Sequence, residues 1–356
     1  MTEVWILGGT GRSGRAIAAE LRKRGIRPVL VGRDADRLAA AAEGDRVVVA
    51  ASVDEMAAEI SRQRPAVVVN TVGPFSTTAA PLARACLPAS HYLDLANDLA
   101  SFSTTLALDE AAATAGRTIV TGAGFGVTAT ESVVVKLCEG RPTPEQVRVD
   151  MIPSLAMEEG VVGEALAGTF VEGIPGVEGG GRYQGRRYRD GRLAPARLGD
   201  EPTRFVLPDG ATVTTSAMPL GELVAAQRAS GAPDVLAASS EVPSSPVART
   251  IMRLAMSLLA IGPVRTLAKR QLAAVKIKAR PQPREYSWGH AVVRWADGTE
   301  REGWLRVGEA QAWTGVVPAE VVHRLLTGQG KPGFHTPAAL FGSSLAEACG
   351  GEYFIA

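Results

Sequence analysis

Along residues 1–122 the apolar positions fall into short unbroken runs: VWIL, RPVLVG, RVVVA, AVVVN, HYLDL and RTIVT. Runs that are apolar on both faces predict strands buried in a parallel sheet. The segments between them repeat with helical spacing instead: GRAIAAELRKRG, DADRLAAAAE, SVDEMAAEISRQ, TTAAPLARACL and SFSTTLALDEAAATAG. Ser52 with Glu55 forms a capping box at one helix start, and Gly25 and Gly116 stop two others. Strands and helices alternating at these lengths predict a doubly wound parallel α/β unit.

Past residue 122 the pattern changes. Three Asp-Gly pairs, in RRYRDGRLAP, RFVLPDGATVTT and AVVRWADGTEREGWLRV, each join two strand-like runs. That is the signature of hairpins, so a second α+β domain with an antiparallel sheet is expected. GELVAAQRASG and the basic stretch from Ser245 to Arg280 are expected to cover this sheet as helices. Within it, IMRLAMSLLAIGPV (Ile251 to Val264) is too short and too interrupted for a membrane span and reads as a core helix.

The loop ILGGTGRSG, residues 6–14, follows the first strand and opens the first helix. Gly8 permits the tight turn, Gly11 lets backbone approach a pyrophosphate, and Gly14 lets helix pack on strand, with Thr10 and Ser13 in the same loop. Free N–H groups of the helix start then face the phosphates. The unit is therefore read as a Rossmann-type dinucleotide-binding domain. Its second strand ends VLVGRDADR, with Gly32 where an NAD-binding unit places a carboxylate and Arg33 next to it. Arg33, with Arg12 as a second cation, can pair with a ribose 2′-phosphate, which predicts NADPH over NADH. Asp34 argues the other way unless it caps the next helix.

Ligands of such sheets lie beyond the carboxyl ends of the strands, where three loops converge. NTVGPF supplies Val72, Gly73 and Pro74 to the coenzyme side, with Phe75 following. HYLDLAND places Tyr92 and Asp94 on one face and Asn97 just past its end. TGAGFGVTATES carries Phe125 and Thr128. Tyr92 is the expected proton donor, with Asp94 orienting it. Phe75, Asn97, Phe125, Thr128 and, from GKPGFHTPAALFG, His335 are candidate substrate contacts.

Bulk properties narrow the class. A chain of 356 residues is expected to form two domains, and 46% hydrophobic with 21% charged residues describes a globular protein. A net charge of +1 gives no overall field to recruit nucleic acid or a membrane surface. Three scattered cysteines and the absence of a leader-like N-terminus point to reduced thiols and a cytoplasmic location. The four histidines have no metal-ligand spacing, so no metal is expected, and no Tyr precedes a Lys by four positions, which removes the short-chain dehydrogenase relay. GRYQGRRYRDGRLAPAR, with six arginines against one Asp, is either a landing site for a phosphorylated or carrier-bound substrate or a solvated hairpin.

The pieces GGTGRSG, VVVNTVGPF, ACLPASHYLDLAND, GAGFG, PLGELVAAQRASGAPDV and PGFHTPAALFG run from end to end of the chain. Together they resemble the saccharopine dehydrogenase-like family of NADP-binding oxidoreductases, which includes saccharopine dehydrogenases and trans-acting enoyl reductases. The resemblance implies a nucleotide domain (1–122), an inserted α+β domain forming substrate pocket and dimer contact (123–320), and a C-terminal segment (321–356) returning to the first domain. Two departures fall where substrate should meet nicotinamide: Ala96-Asn97-Asp98 stands where the family usually continues Gly-Glu, and Gly124-Phe125-Gly126 where it commonly reads Gly-Phe-Asp. The Lys and His acid–base pair of true saccharopine dehydrogenases has no counterpart. The expectation is an NADPH-dependent reductase, a homodimer without a membrane span. It would deliver hydride to an imine or a conjugated C=C bond of a small-molecule or carrier-bound metabolite. The competing reading is a non-catalytic NADP(H)-sensing protein, whose opening loop would look the same.

Overall fold

Strands β1 (Val4–Leu7), β2 (Pro28–Gly32), β3 (Val47–Val49), β4 (Val67–Asn70), β5 (His91–Asp94) and β6 (Thr118–Val120) follow the apolar runs. Helices α1 (Arg12–Lys23), α2 (Ala35–Ala41), α3 (Val53–Gln63), α4 (Phe75–Cys86), α5 (Leu99–Leu106) and α6 (Asp109–Thr114) alternate with them. The computed structural model describes residues 3–156, 160–161, 177–180, 184–243, 245–259, 261–277, 279 and 281–356. Local signals explain the helix ends. Ser52 Oγ accepts from Glu55 N at the start of α3, Asp34 from Arg37 N at the start of α2, and Asp98 from Ser101 N at the start of α5.

Beyond α7 (Phe125–Cys138) come β7 (Gln146–Ile152), β8 (Gly160–Val161), β9 (Gly185–Arg189), β10 (Arg192–Ala196), β11 (Thr203–Val206) and β12 (Thr212–Ala217). Then follow α8 (Gly221–Ser230), β13 (Asp234–Ser239), α9 (Pro246–Leu258), α10 (Gly262–Ala273), β14 (Lys276–Ile277), β15 (Ser287–Arg294) and β16 (Glu300–Val307). The chain closes with α11 (Ala310–Leu326), β17 (Gly333–His335), α12 (Pro337–Phe341), α13 (Ser344–Ala348) and β18 (Glu352–Ile355).

The first sheet runs β3-β2-β1-β4-β5-β6-β17 with every pairing parallel. The order in which strands are added reverses between β1 and β4, and that switch point is where such sheets bind ligands. Leu7 lies level with both Val31 and Asn70, so the loops after β1, β2 and β4 leave the sheet side by side. Helix α11 packs along α1, close enough that a Cβ on Gly315 would stand 3.0 Å from that of Ala16.

The second sheet runs β10-β9-β13-β7-β15-β16-β18, with β12 and β11 branching from β13 and β8 pairing apart with β14. All three Asp-Gly hairpins are present, as β9–β10, β11–β12 and β15–β16. The sheet is mixed, because β13 and β7 are parallel. Helix α7 lies against β7, β15 and β16, and residues 125–134 along it are all buried. One hydrophobic core continues through both sheets. The C-terminal segment supplies β17 to the first sheet, but its last strand, β18, pairs with β16 of the second.

Two expectations are corrected here. The stretch from Ser245 to Arg280 does form helices, but α9 and α10 have no buried residue among those described and do not cover the sheet. IMRLAMSLLAIGPV is accordingly not a core helix, since Ile251, Leu254, Leu258 and Ile261 within it are all exposed. Periodicity shows that a helix has an apolar face without showing what meets it. The arginine-rich hairpin is partly tied down: Arg186 is buried and donates to the carbonyls of Val177 and Glu178, and Arg187 pairs with Glu201.

Candidate active site

Gly8 turns the chain off β1 at φ +77°, and the N–H groups of Gly8 and Gly9 both donate to Val31 O, at 2.9 and 3.1 Å. These bonds pin the loop to β2. A Cβ on Gly14 would press on the Gly8 carbonyl oxygen and stand 2.9 Å from Gly9 Cα, so α1 reaches the strand only because residue 14 has none. Gly11 begins α1 without a side-chain cap, and no acid stands in its first turn. The free N–H groups and the helix dipole therefore point outward unneutralised.

These residues fit a dinucleotide. The cradle has no side chain at residues 8, 9, 11 and 14, the helix start offers donors, and Gly32 leaves the end of β2 without a carboxylate. Arg12 and Arg33 are both exposed beside it. Asp34 is engaged as the cap of α2, accepting from Arg37 N at 3.0 Å. The loop after β4 is stitched to the same place. Thr71 Oγ1 donates to Leu7 O, Val72 N to Asn70 Oδ1, and Thr78 Oγ1 to Val72 O. Gly73 and Pro74 lead from it into α4, whose start also lacks a side-chain cap.

Next to the glycine loop a cavity of about 270 Å³ opens between the carboxyl edge of the first sheet and the second domain. Its walls are Leu95–Asn97 after β5, residues 122 and 124–127, the end of β7 at Met151, and Ala310, Gln311 and Thr314 of α11. Gln311 Nε2 donates to Ser13 Oγ at 3.0 Å, tying this wall to the glycine loop. Thr314 Oγ1 accepts from Phe125 N, and the Phe125 ring meets Trp313 edge to face at 6.1 Å. A second cavity of about 500 Å³ lies between α5 and the β9–β10 hairpin.

Behind Asn97 lies a carboxyl group. Asn97 Nδ2 donates to Glu222 Oε1 at 3.0 Å, and Asn97 Oδ1 accepts from Gly221 N at 3.0 Å. Glu222 is buried, and its Oε2 has no hydrogen-bond partner. Burial pushes this carboxyl up to about 7, against the lowering effect of its bonds to its own N–H and Asn97. Gly126 accommodates it, because a Cβ there would collide with Glu222 Oε1 and stand 2.6 Å from Met151 Sδ.

Of the residues singled out from sequence, Asn97 and Phe125 line this cavity, and Ser13 bonds Gln311 in its wall. Tyr92, Asp94 and Glu222 do not line it, but Glu222 bonds the wall residue Asn97 whereas the Tyr92 hydroxyl bonds Asn70, which is not in the wall, and the donor role expected of Tyr92 is set aside on that ground. Tyr92 is fully buried under the helices of the first sheet, with its hydroxyl accepting from Asn70 Nδ2 at 3.0 Å. Burial, then the nearby Asp94 charge, pushes its ionisation well above the ordinary tyrosine value. Asp94 ties loops together, accepting from Ala96 N and Gly122 N, and burial raises it to about 7. Thr128 is buried with its hydroxyl on Gly122 O, Phe75 starts α4, and His335 faces Pro332 O on β17. None of these three lines the cavity. Glu131, also pushed up to about 7 by burial, caps α12 through Thr336 Oγ1 and the N–H groups of Ala338 and Ala339.

Sequence reasoning missed Glu222, Gln311 and Thr314. Glu222 stands in the first turn of its helix, where an acid normally reads as a partner for the dipole. Gln311 and Thr314 carry no local signal at all.

Fold and glycine loop together define a Rossmann-type dinucleotide-binding architecture. Residues 4–120 match the family model described as the saccharopine dehydrogenase NADP binding domain, which supports NADP(H) as the cofactor. Apo saccharopine dehydrogenase (L-Glu forming) from Saccharomyces cerevisiae shares the fold over 100% of both chains, with a TM-score of 0.61 at 12% identity. A meso-DAPDH variant with DAP from Clostridium tetani aligns over 96% of each chain at 10% identity with a TM-score of 0.44. No curated protein sequence matches the chain.

Proposed function

We propose that the protein is an NADPH-dependent reductase acting on a C=N bond or a conjugated C=C bond, with Glu222 as the proton source. The observation that supports this most is a cavity whose wall residues Gln311 and Asn97 bond, respectively, Ser13 of the glycine loop and the buried Glu222 carboxyl behind the wall, one oxygen of which has no hydrogen-bond partner.

NADPH, when bound, supplies the hydride. The chain does the rest. The N–H groups of the loop from Gly8 to Gly14, with Thr10 and Ser13, hold the pyrophosphate. Arg33 and Arg12 pair with the 2′-phosphate, and Val72, Gly73 and Pro74 wall the coenzyme on the β4 side. Leu95, Phe125, Val127, Met151 and Pro153 keep water from the reacting atoms. Asn97 fixes the Glu222 carboxyl, which holds a proton on Oε2 and gives it to the acceptor nitrogen or α-carbon. Solvent then reprotonates the carboxylate. A space of this size takes the reacting end of a small metabolite, with Glu241 at its wall.

Coenzyme absorbance followed across a panel of cyclic imines and conjugated enones tests this reading. NADPH oxidation is expected with at least one acceptor. Tight coenzyme binding with no turnover on any of them would support the sensing protein instead.

A further inference from the structure

Helices α9 and α10 stand outside the core, and their exposed side is apolar. Val247, Ile251, Leu254 and Leu258 are 69, 62, 61 and 55% exposed, and their spacing of four, three and four puts them on one helix face. Ile261 and Leu267, at 51 and 59%, continue the patch into α10. Contiguous exposed apolar surface of this kind marks an interaction site rather than ordinary scatter.

Charge identifies the partner. The α9–α10 pair, residues 246–273, contains five Lys or Arg and no Asp or Glu, and the wider segment 242–284 contains nine Lys or Arg and again no acid. With a net charge of only +1 for the whole chain, everything outside this segment is net acidic. The near-neutral total therefore conceals one strongly basic, amphipathic element. Apolar residues on one face of a basic helix suit the boundary between headgroups and acyl chains of an anionic bilayer. A second copy meeting this face across a two-fold axis would set the same cations against themselves. Nucleic acid would meet the charge but leave the apolar stripe exposed to water.

We infer that the α9–α10 pair is a docking surface that lays the protein on an anionic lipid bilayer. Among the described residues no helix is long and apolar enough to cross a membrane. The docking surface also bears on substrate access, because the chain passes from Glu241, in the cavity wall, into α9 at Pro246.

Flotation of the full-length protein with vesicles tests this. Vesicles of equal parts phosphatidylcholine and phosphatidylglycerol are expected to carry it, about tenfold more than phosphatidylcholine alone, with less bound as salt is raised. The Ile251→Ser/Leu254→Ser double variant should lose that binding by about tenfold while keeping wild-type NADPH affinity, since neither side chain enters the core. No flotation with the anionic vesicles, or equal flotation of wild type and variant, overturns the inference. So does a solution mass that falls from dimer to monomer in the variant, which would assign this face to a second copy.

Discussion

Replacing Glu222 with Gln is expected to lower kcat by about 10²- to 10⁴-fold, the usual contribution of a positioned acid, with NADPH affinity unchanged. The amide keeps the shape of the carboxyl and can still accept from Asn97 Nδ2, but it has no transferable proton. The pH profile gives an independent readout. The acid works in its protonated form, and burial holds it up to about 7, so the wild-type rate is present at lower pH and falls as pH rises through that value. That limb should vanish in the variant. A Glu222→Gln enzyme with wild-type kcat and an unchanged alkaline limb would remove the carboxyl from the chemistry.

Gly14→Ala should weaken coenzyme binding at the upper end of what loss of any one side chain does. The added Cβ meets backbone, not a flexible group: the Gly8 carbonyl and Gly9 Cα. That backbone cannot retreat without breaking the bonds from Gly8 N and Gly9 N to Val31 O. Overpacking at a rigid site costs about 1–3 kcal/mol or more, and here the distortion falls on the helix start that faces the pyrophosphate. NADPH affinity should fall by about a hundredfold, equivalent to about 2.7 kcal/mol, with a lower melting temperature. Gly308→Ala is the control, because a Cβ at that position meets nothing within 4 Å. A Gly14→Ala protein that binds NADPH like the control would show that the loop does not need the close helix–strand contact.

The first sheet was legible because strands buried on both faces must be apolar throughout, and the glycine loop because its constraint is local backbone geometry. The three hairpins were legible for the same reason: Asp190 and Gly191, for instance, both adopt the positive φ that the turn requires. Tyr92 shows the limit of that reading. A period of two placed it on the same face as Asp94, but a strand pattern does not reveal that helices seal the face. Glu222 meets Asn97 across 125 residues and Gln311 meets Ser13 across 298, contacts that only the folded chain creates. The departure at Gly124-Phe125-Gly126 was visible without its meaning. Position 126 lacks a side chain because the Glu222 carboxyl, carried in on α8, fills that space.

The most direct measurement is isothermal titration of the purified protein with NADPH and with NADH, repeated on Arg33→Ala. The wild type should prefer NADPH, and the variant should lose about 1–3 kcal/mol of NADPH binding while NADH binding stays the same, as for one charge-assisted contact to the 2′-phosphate. Equal affinity of the wild type for both coenzymes, or undiminished discrimination in the variant, would contradict the phosphate pairing at the end of β2.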